Sequence, residues 1–102
     1  MTVHSPARRD DILKVLRENR RVLNGFGVAS LSLFGSFARD EGREDSDVDL
    51  LVEFSRPIGL FEFVRLQRQL GELLGHQVDL VTPAALKPQL RDRIMREAVV
   101  AA

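Results

Sequence analysis

The chain has 102 residues, no cysteine and a formal net charge of zero at pH 7. Its contents of hydrophobic (44%) and charged (29%) residues are those of an ordinary globular protein, and its length suits one domain over residues 1–102 with a modest core. This composition excludes disulfides and thiolate metal sites, and the neutral charge argues against a general binder of nucleic acid or of an anionic membrane.

The first residues of the sequence do not predict an export signal. Residues 1–6 lack the apolar stretch of a signal peptide, and the chain becomes charged at Arg8. No apolar run approaches the roughly 20 residues that cross a bilayer. Because a chain without cysteines suits a reducing compartment, we expect a soluble, cytoplasmic protein.

The first predicted element is a long amphipathic helix over about residues 6–24. Ser5 can cap it, and Pro6 suits the first helical position. Asn24 and Gly25 are residues that commonly end a helix. Its apolar stripe consists of Ile12, Leu16 and Leu23, widened by Leu13, Val15 and Val22.

A strand and a turn follow. Residues 28–34 alternate in the manner of a strand. Its predicted inward side consists of Ala29, Leu31 and Leu33. The chain then turns at Gly35 and Ser36, and residues 37–41 are expected to form a short helix that ends at Gly42.

The second strand is predicted over residues 47–54. Its centre is almost continuously apolar, which is typical of a strand covered on both faces. After Gly59 we expect a long helix that ends at Gly75. The inward stripe of that helix comprises Phe63, Leu66, Leu70 and Leu73 or Leu74, extended by Phe61 and Val64.

A third short strand, residues 77–81, carries Asp79 among apolar neighbours. Helical segments then start at Pro83 and Pro88. The predicted inward residues of the last helix are Leu90, Ile94 and Ala98. One side of this helix, with Ile94, Met95 and Val99, is apolar enough for a partner or a homodimer. The whole pattern predicts an α/β fold with a small mixed sheet of about three to four strands flanked by helices.

Three strand aspartates are candidates for a metal site. In an extended chain Asp47 and Asp49 project from the same face, about 6.5–7 Å apart. If the strand of Asp79 pairs with theirs, its carboxylate joins them. Without a cation, mutual repulsion and partial burial would raise their pKa values and cost stability. Oxygen-only ligands favour Mg²⁺ or Mn²⁺ over zinc.

Such a cluster of acids suits displacement at phosphorus. Two metals about 3.5–4 Å apart can hold a nucleophile and phosphates. One carboxylate can also act as general base for an attacking hydroxyl, and Asp79 is the candidate.

The Gly35–Ser36 turn is the candidate phosphate site. Glycine lets the backbone approach a phosphate, and the N–H groups that begin the next helix favour an anion. Ser36 adds a hydroxyl donor. Arg39, one helical turn later, either contacts a phosphate or pairs with an acid of the following loop.

These motifs together resemble a known family. Gly35-Ser36, ten further residues, the D-x-D of Asp47 and Asp49, and the later Asp79 are similar to the signature of the DNA polymerase β-like nucleotidyltransferases. The stretch from Gly35 to Val52 most resembles the minimal nucleotidyltransferases (MNT proteins). The resemblance covers nearly the whole chain and implies the nucleotidyltransferase fold.

The resemblance implies a function and a partner. MNT proteins transfer AMP from ATP, with Mg²⁺, to a tyrosine of a HEPN ribonuclease toxin, and so act as antitoxins. It assigns metal binding to Asp47, Asp49 and Asp79 and nucleotide binding to Gly35, Ser36 and Arg39. Asp40 departs from the small residue usual at its position. His4 and His76 match no motif and are interpreted as surface or structural residues.

Two other functions remain open. An antitoxin could neutralise its toxin by contact alone, but pure binding would not need three aspartates. Transfer to a small molecule or to RNA is the second alternative. A chain of this length offers no obvious pocket for such a substrate, and zero net charge argues against strong binding of nucleic acid.

Overall fold

The structure is a computed structural model that describes residues 8–101. It contains a four-stranded sheet in the order β3-β2-β1-β4, with helices between the strands. The predicted class, a mixed sheet flanked by helices, is confirmed. The strands are β1 (Val28–Phe34), β2 (Val48–Phe54), β3 (Val78–Val81) and β4 (Val99–Val100). The helices are α1 (Arg9–Glu18), α2 (Arg20–Gly25), α3 (Gly35–Ala38), α4 (Leu60–Leu74) and α5 (Pro88–Glu97), with a 3₁₀ turn at Pro83–Ala85.

The long first helix is in fact two helices. The break lies at Asn19, whose side-chain amide donates a hydrogen bond to the Val15 carbonyl at 2.8 Å and so competes with the helical backbone. The expected cap at Ser5 and Pro6 lies outside the described residues. Within them, Arg8 precedes α1 and makes no side-chain cap. Instead, the Arg9 N–H donates to the Asp40 carboxylate at 3.0 Å, so an acid from a distant loop caps the helix.

The sheet combines antiparallel and parallel pairs. β1 pairs with β2 in antiparallel register, with an irregularity between Val28 and Ser30 that leaves Ala29 exposed. The prediction that Ala29 faces inward is therefore wrong. β2 and β3 are parallel, as expected for strands joined by the α4 crossover. Val99, which was assigned to the last helix, belongs to β4 and pairs with Leu33 of β1.

The main core lies on one face of the sheet. There α1, α2 and α4 cover every second residue of β1 and β2. These residues lie on the face of the sheet opposite to Asp49. The fully buried members include Ile12, Leu16, Leu23, Leu31, Leu33, Val48, Leu50, Val52, Leu66, Leu70 and Leu74. Leu51, on the other face of β2, is also only 3% exposed. The central strand is thus covered on both faces, as its apolar sequence predicted.

Several apolar residues predicted to face inward lie at the surface. Phe61 and Val64 are 86% and 50% exposed, because the inward face of α4 is already filled by its leucines and by Phe63. In α5, Leu90 is exposed and Ile94 is only partly buried. Within residues 8–101, no helix has the length and apolar character to cross a membrane.

Candidate active site

Asp49 lies at the centre of the candidate site. The alternation of β2 buries Val48 and Leu50 in the core and directs Asp49 to the opposite face of the sheet. β2 and β3 are in register at Asp49 and Asp79, so the two carboxylates lie on neighbouring strands. The pairing on which the three-aspartate hypothesis depended is therefore present.

Asp47 and Asp79 differ from expectation in their surroundings. Asp47 precedes the first residue of β2, so it belongs to the end of the loop and not to the strand, and its side chain is exposed. The apolar neighbours of Asp79 suggested a buried side chain, but Asp79 is exposed and β3 is an edge strand. Both side chains are therefore accessible to a substrate.

The pKa of Asp49 shows how the charges are arranged. Partial burial raises this pKa from its ordinary value of 3.8, and the negative charges of Asp79 and then Asp47 raise it further. The positive charge of Arg39 acts in the opposite direction. The other three charged residues predicted for the site, Asp47, Asp79 and Arg39, thus all act on the carboxylate of Asp49.

Gly35 is placed directly on Asp49. Phe34, the last residue of β1, pairs with Asp49, and Gly35 follows at a φ of +73°. A Cβ atom on Gly35 would contact Asp49 Oδ2 and lie 2.9 Å from Cγ. Only glycine fits this position, because a side chain would collide with the carboxylate and the left-handed backbone would be strained.

The short helix begins earlier than predicted. α3 covers Gly35–Ala38, whereas residues 37–41 were expected to be helical, and Gly35 and Ser36 are its first residues. Ser36 is partly accessible, while Phe37 is completely buried and anchors the turn in the core. The Gly-Ser turn is therefore a fixed, solvent-accessible edge beside the aspartates.

Arg39 is held by two acids. Its guanidinium contacts Glu41 at 3.2 Å, in the loop, and Glu97 at 3.5 Å, at the end of α5. The structure shows the ion-pair alternative for this side chain, with one partner, Glu97, that the sequence reasoning did not identify. Such exposed pairs contribute only about 0–1 kcal/mol and exchange readily.

The loop before β2 is fixed at several points. The Arg43 N–H donates to Ser46 Oγ at 3.0 Å, and the Ser46 carbonyl lies 3.0 Å from His76 Nδ1. His76 is only 8% exposed. The negative charge of Asp40 faces the start of α1 through its hydrogen bond with Arg9.

The type and charge of these donors fit a divalent cation. Burial, and then the negative charges of Asp79 and Asp47, raise the pKa of Asp49, and a cation would relieve the part of this effect that comes from carboxylate repulsion. The donors are oxygens only, as Mg²⁺ prefers. Within the described range 8–101, no three His, Asp or Glu side chains are already gathered closely enough to hold an ion. The side chains would therefore have to converge for a cation to bind.

Comparison with known proteins gives the family. A family model, the nucleotidyltransferase domain, matches residues 10–101. The chain belongs to this nucleotidyltransferase family. The resemblance to the family that was inferred from the Gly-Ser and D-x-D motifs is thus confirmed, and the chain is a nucleotidyltransferase.

Two similar proteins refine this assignment. The protein adenylyltransferase MntA of Thermococcus cleftensis is 40% identical over 91 residues, which are 88% of this chain and 92% of that protein. A solved minimal nucleotidyltransferase is 37% identical, with a TM-score of 0.79 and coverage of 90% of this chain and 94% of the other. The nucleotidyltransferase fold, predicted from the resemblance, is confirmed by this match.

A more distant structure shares the fold alone. It is the complex of the tri-AMPylated HEPN toxin of Shewanella oneidensis with an MNT antitoxin. The matching chain is 21% identical, with a TM-score of 0.58, and the match covers 92% of this chain and 68% of the other.

Proposed function

We propose that this nucleotidyltransferase uses Mg²⁺ to transfer AMP from ATP to the hydroxyl group of a tyrosine in a HEPN-type toxin. The observation that carries the proposal is the contact of Gly35 with Asp49, beside Asp79 in register. It joins the predicted phosphate site to the predicted metal site. The partner is proposed because a relative is a protein adenylyltransferase and a chain of the same fold is found with a HEPN toxin.

The charges at the site explain the need for a cation. Asp47, Asp49 and Asp79 would repel the triphosphate of ATP, so nucleotide binding at this edge requires a counter-charge. In the proposal these three aspartates hold Mg²⁺, or Mn²⁺ in its place. When bound, the cation supplies charge neutralisation at the phosphates and polarises the α-phosphate.

The chain's own groups have distinct roles in the proposed transfer. Backbone N–H groups at Gly35 and Ser36, with the Ser36 hydroxyl, bind phosphate oxygens. Arg39 leaves its acidic partners to contact a phosphate. The acceptor oxygen attacks the α-phosphorus, the bond from that phosphorus to the bridging oxygen breaks, and pyrophosphate leaves. Asp79, exposed at the sheet edge, takes the proton of the hydroxyl.

The test is to incubate the chain with Mg²⁺, ATP and the product of the adjacent gene, if that gene encodes a HEPN protein. The partner is then weighed by mass spectrometry, and its ribonuclease activity is measured. We expect added AMP groups on a tyrosine and loss of ribonuclease activity. The Asp49→Asn variant should add no AMP.

The same experiment distinguishes the alternative of neutralisation by binding alone. In that case the partner would be inhibited at equal stoichiometry without a change in mass, and the Asp49→Asn variant would inhibit equally well. Such a result would contradict the proposed transfer. A partner that is neither modified nor inhibited would contradict the assignment of the toxin as substrate.

A further inference from the structure

His76 lies between three parts of the candidate site: the loop before Asp47, the Gly-Ser turn and the strand of Asp79. It follows the left-handed Gly75 that ends α4, and it comes three residues before Asp79. Its side chain is 8% exposed, so it is a buried polar group in a region otherwise rich in surface acids. The proposed chemistry assigns it no role.

One contact of His76 leads to Asp47. The Nδ1 atom lies 3.0 Å from the backbone oxygen of Ser46. A carbonyl oxygen can only accept a hydrogen bond, so Nδ1 carries the proton and donates it. Because Ser46 directly precedes Asp47, this bond fixes the peptide group from which Asp47 begins.

A neighbouring bond reinforces the first. The Val48 N–H donates to the Gln77 carbonyl at 2.9 Å, which joins the residue after Asp47 to the residue after His76. Asp47 itself lies outside the strand ladder. Its position therefore depends on bonds made on either side of it, and the His76 bond is the one formed by a side chain.

The second contact of His76 leads to the Gly-Ser turn. Its ring meets the ring of Phe37 edge to face, with centroids 5.1 Å apart and an interplanar angle of 72°. Phe37 is completely buried and belongs to the same short helix as Gly35. A Cβ atom on Gly42 would lie 2.6 Å from Phe37 Cγ, so this ring is enclosed on another side as well.

We propose that His76 is a positioning residue that sets Asp47 relative to Asp49 and Asp79 for binding of the divalent cation. The hydrogen bond to Ser46 performs this task, while the contact with Phe37 holds the imidazole in place. The inference rests on the proposed function, in which Asp47 is a metal ligand. It assigns to His76 a role in metal affinity that is separate from the contribution of His76 to the stability of the fold.

Two variants separate the hydrogen bond from the ring contact. His76→Asn keeps an N–H donor near the place of Nδ1 but removes the aromatic ring. His76→Phe keeps a ring against Phe37 but leaves the Ser46 carbonyl without this donor. Both variants lose part of the packing or bonding at one buried site, so their melting temperatures serve as the stability readout.

The affinity of the full chain for Mn²⁺ alone is measured by electron paramagnetic resonance and by calorimetry. We expect His76→Phe to weaken Mn²⁺ binding by about three- to tenfold, at or just below the smallest of the losses, about tenfold, that are typical when groups around metal ligands are removed. His76→Asn should stay within about twofold of the unsubstituted chain, even if its melting temperature falls further than that of His76→Phe.

Other outcomes overturn the inference. Equal Mn²⁺ affinity in His76→Phe and the unsubstituted chain, which itself binds Mn²⁺, would reduce His76 to a packing residue and leave the proposed function intact. If the Mn²⁺ affinity of each variant falls in proportion to its melting temperature, His76 would likewise be a packing residue only. If the unsubstituted chain binds no Mn²⁺, both the metal site and this inference are wrong.

Discussion

The backbone of Gly35 lies against the carboxylate of Asp49, at the point where β1 ends and β2 carries the central acid of the site. A Cβ atom at residue 35 would fall 2.9 Å from Asp49 Cγ, and the φ of +73° is one that residues with side chains rarely adopt. The proposed phosphate-binding turn and the proposed metal-binding strand are thus built as one unit. A change in either residue should be felt by the other.

Gly35→Ala should abolish AMP transfer and destabilise the fold. The added methyl group collides with Asp49, and alanine is strained at a positive φ, so we expect a loss of at least about 1 kcal/mol in the free energy of unfolding. Transfer should fall by at least about a hundredfold because the carboxylate is displaced, as even a small misplacement at a reacting centre has that effect. Urea unfolding and labelled-ATP assays measure the two effects.

Gly25→Ala is the matched control. It lies at the end of α2 with open space around it, and its φ is not positive. Alanine there should leave transfer unchanged and add up to about 1 kcal/mol of stability. Equal transfer by Gly25→Ala and Gly35→Ala would show that the contact with Asp49 is unimportant.

Asp49→Asn should stabilise the metal-free protein in a pH-dependent way. The pKa of Asp49 is raised above its ordinary 3.8 by burial and by Asp79 and Asp47. The ionised carboxylate therefore destabilises the fold at neutral pH, and this penalty is lost as the pH falls through the raised pKa towards 3.8. The variant should melt above the unsubstituted chain at pH 7, with the difference shrinking in acid.

We expect Mg²⁺ to counteract this difference in melting temperature between Asp49→Asn and the unsubstituted chain. Mg²⁺ should raise the melting temperature of the unsubstituted chain and have little effect on Asp49→Asn, whose metal affinity should be at least about tenfold weaker. Asp45→Asn, on the exposed loop, is the control and should respond like the unsubstituted chain. An Asp49→Asn variant that gains as much from Mg²⁺ would mean that this carboxylate is not a ligand.

Arg39→Ala should weaken ATP binding without unfolding the protein. Its pairs with Glu41 and Glu97 are exposed, so their loss should change the free energy of unfolding by less than about 1 kcal/mol. Loss of a phosphate contact should raise the KM for ATP about tenfold, equivalent to about 1.4 kcal/mol. Steady-state kinetics with varied ATP provide the measurement.

Arg43→Ala controls for the loss of one positive charge from the same loop. Its side chain is exposed, and its hydrogen bond to Ser46 comes from the backbone N–H, which the substitution leaves in place. It should leave the KM for ATP nearly unchanged. An unaltered KM in Arg39→Ala would indicate that Arg39 serves its acidic partners alone.

Phe61→Ala and Leu66→Ala should differ sharply in stability, although both residues belong to the apolar sequence of α4. Phe61 is 86% exposed and Leu66 is completely buried. The first change should alter the free energy of unfolding by about 0.5 kcal/mol or less, and the second should cost about 2–5 kcal/mol. Denaturant titration of both variants tests this. A similar cost for the two would place Phe61 in the core.

The elements that the sequence predicted best are those specified by local patterns. The bounds of β1 were predicted to the residue, and Gly75 does end α4, because alternation and a left-handed glycine are properties of short segments. The order and spacing of Gly35, Ser36 and the aspartates were enough to identify the family. The register of Asp49 with Asp79 was only a condition of that hypothesis, and the structure supplies it.

The predictions were wrong where contacts between residues far apart in the sequence determine burial or pairing. Periodicity could not show that the core side of α4 was full without Phe61, or that β3 lies at an edge and exposes Asp79. The pairing of Val99 with β1 and the ion pair of Arg39 with Glu97 also join segments far apart in the chain. No local signal marked His76 as a link between loops, beyond its position just before the Asp79 strand.

The parallel pairing of Asp49 with Asp79 also bears on how the protein is made. During translation, the β1–β2 hairpin with Gly35 and Asp49 emerges from the ribosome before β3 does. The crossover helix is synthesised before the parallel pair can close, because it connects β2 to β3, and closing this non-local pair costs loop-closure entropy. The nascent polypeptide therefore lacks the third carboxylate, and it acquires the complete set only after residue 79 has left the exit tunnel.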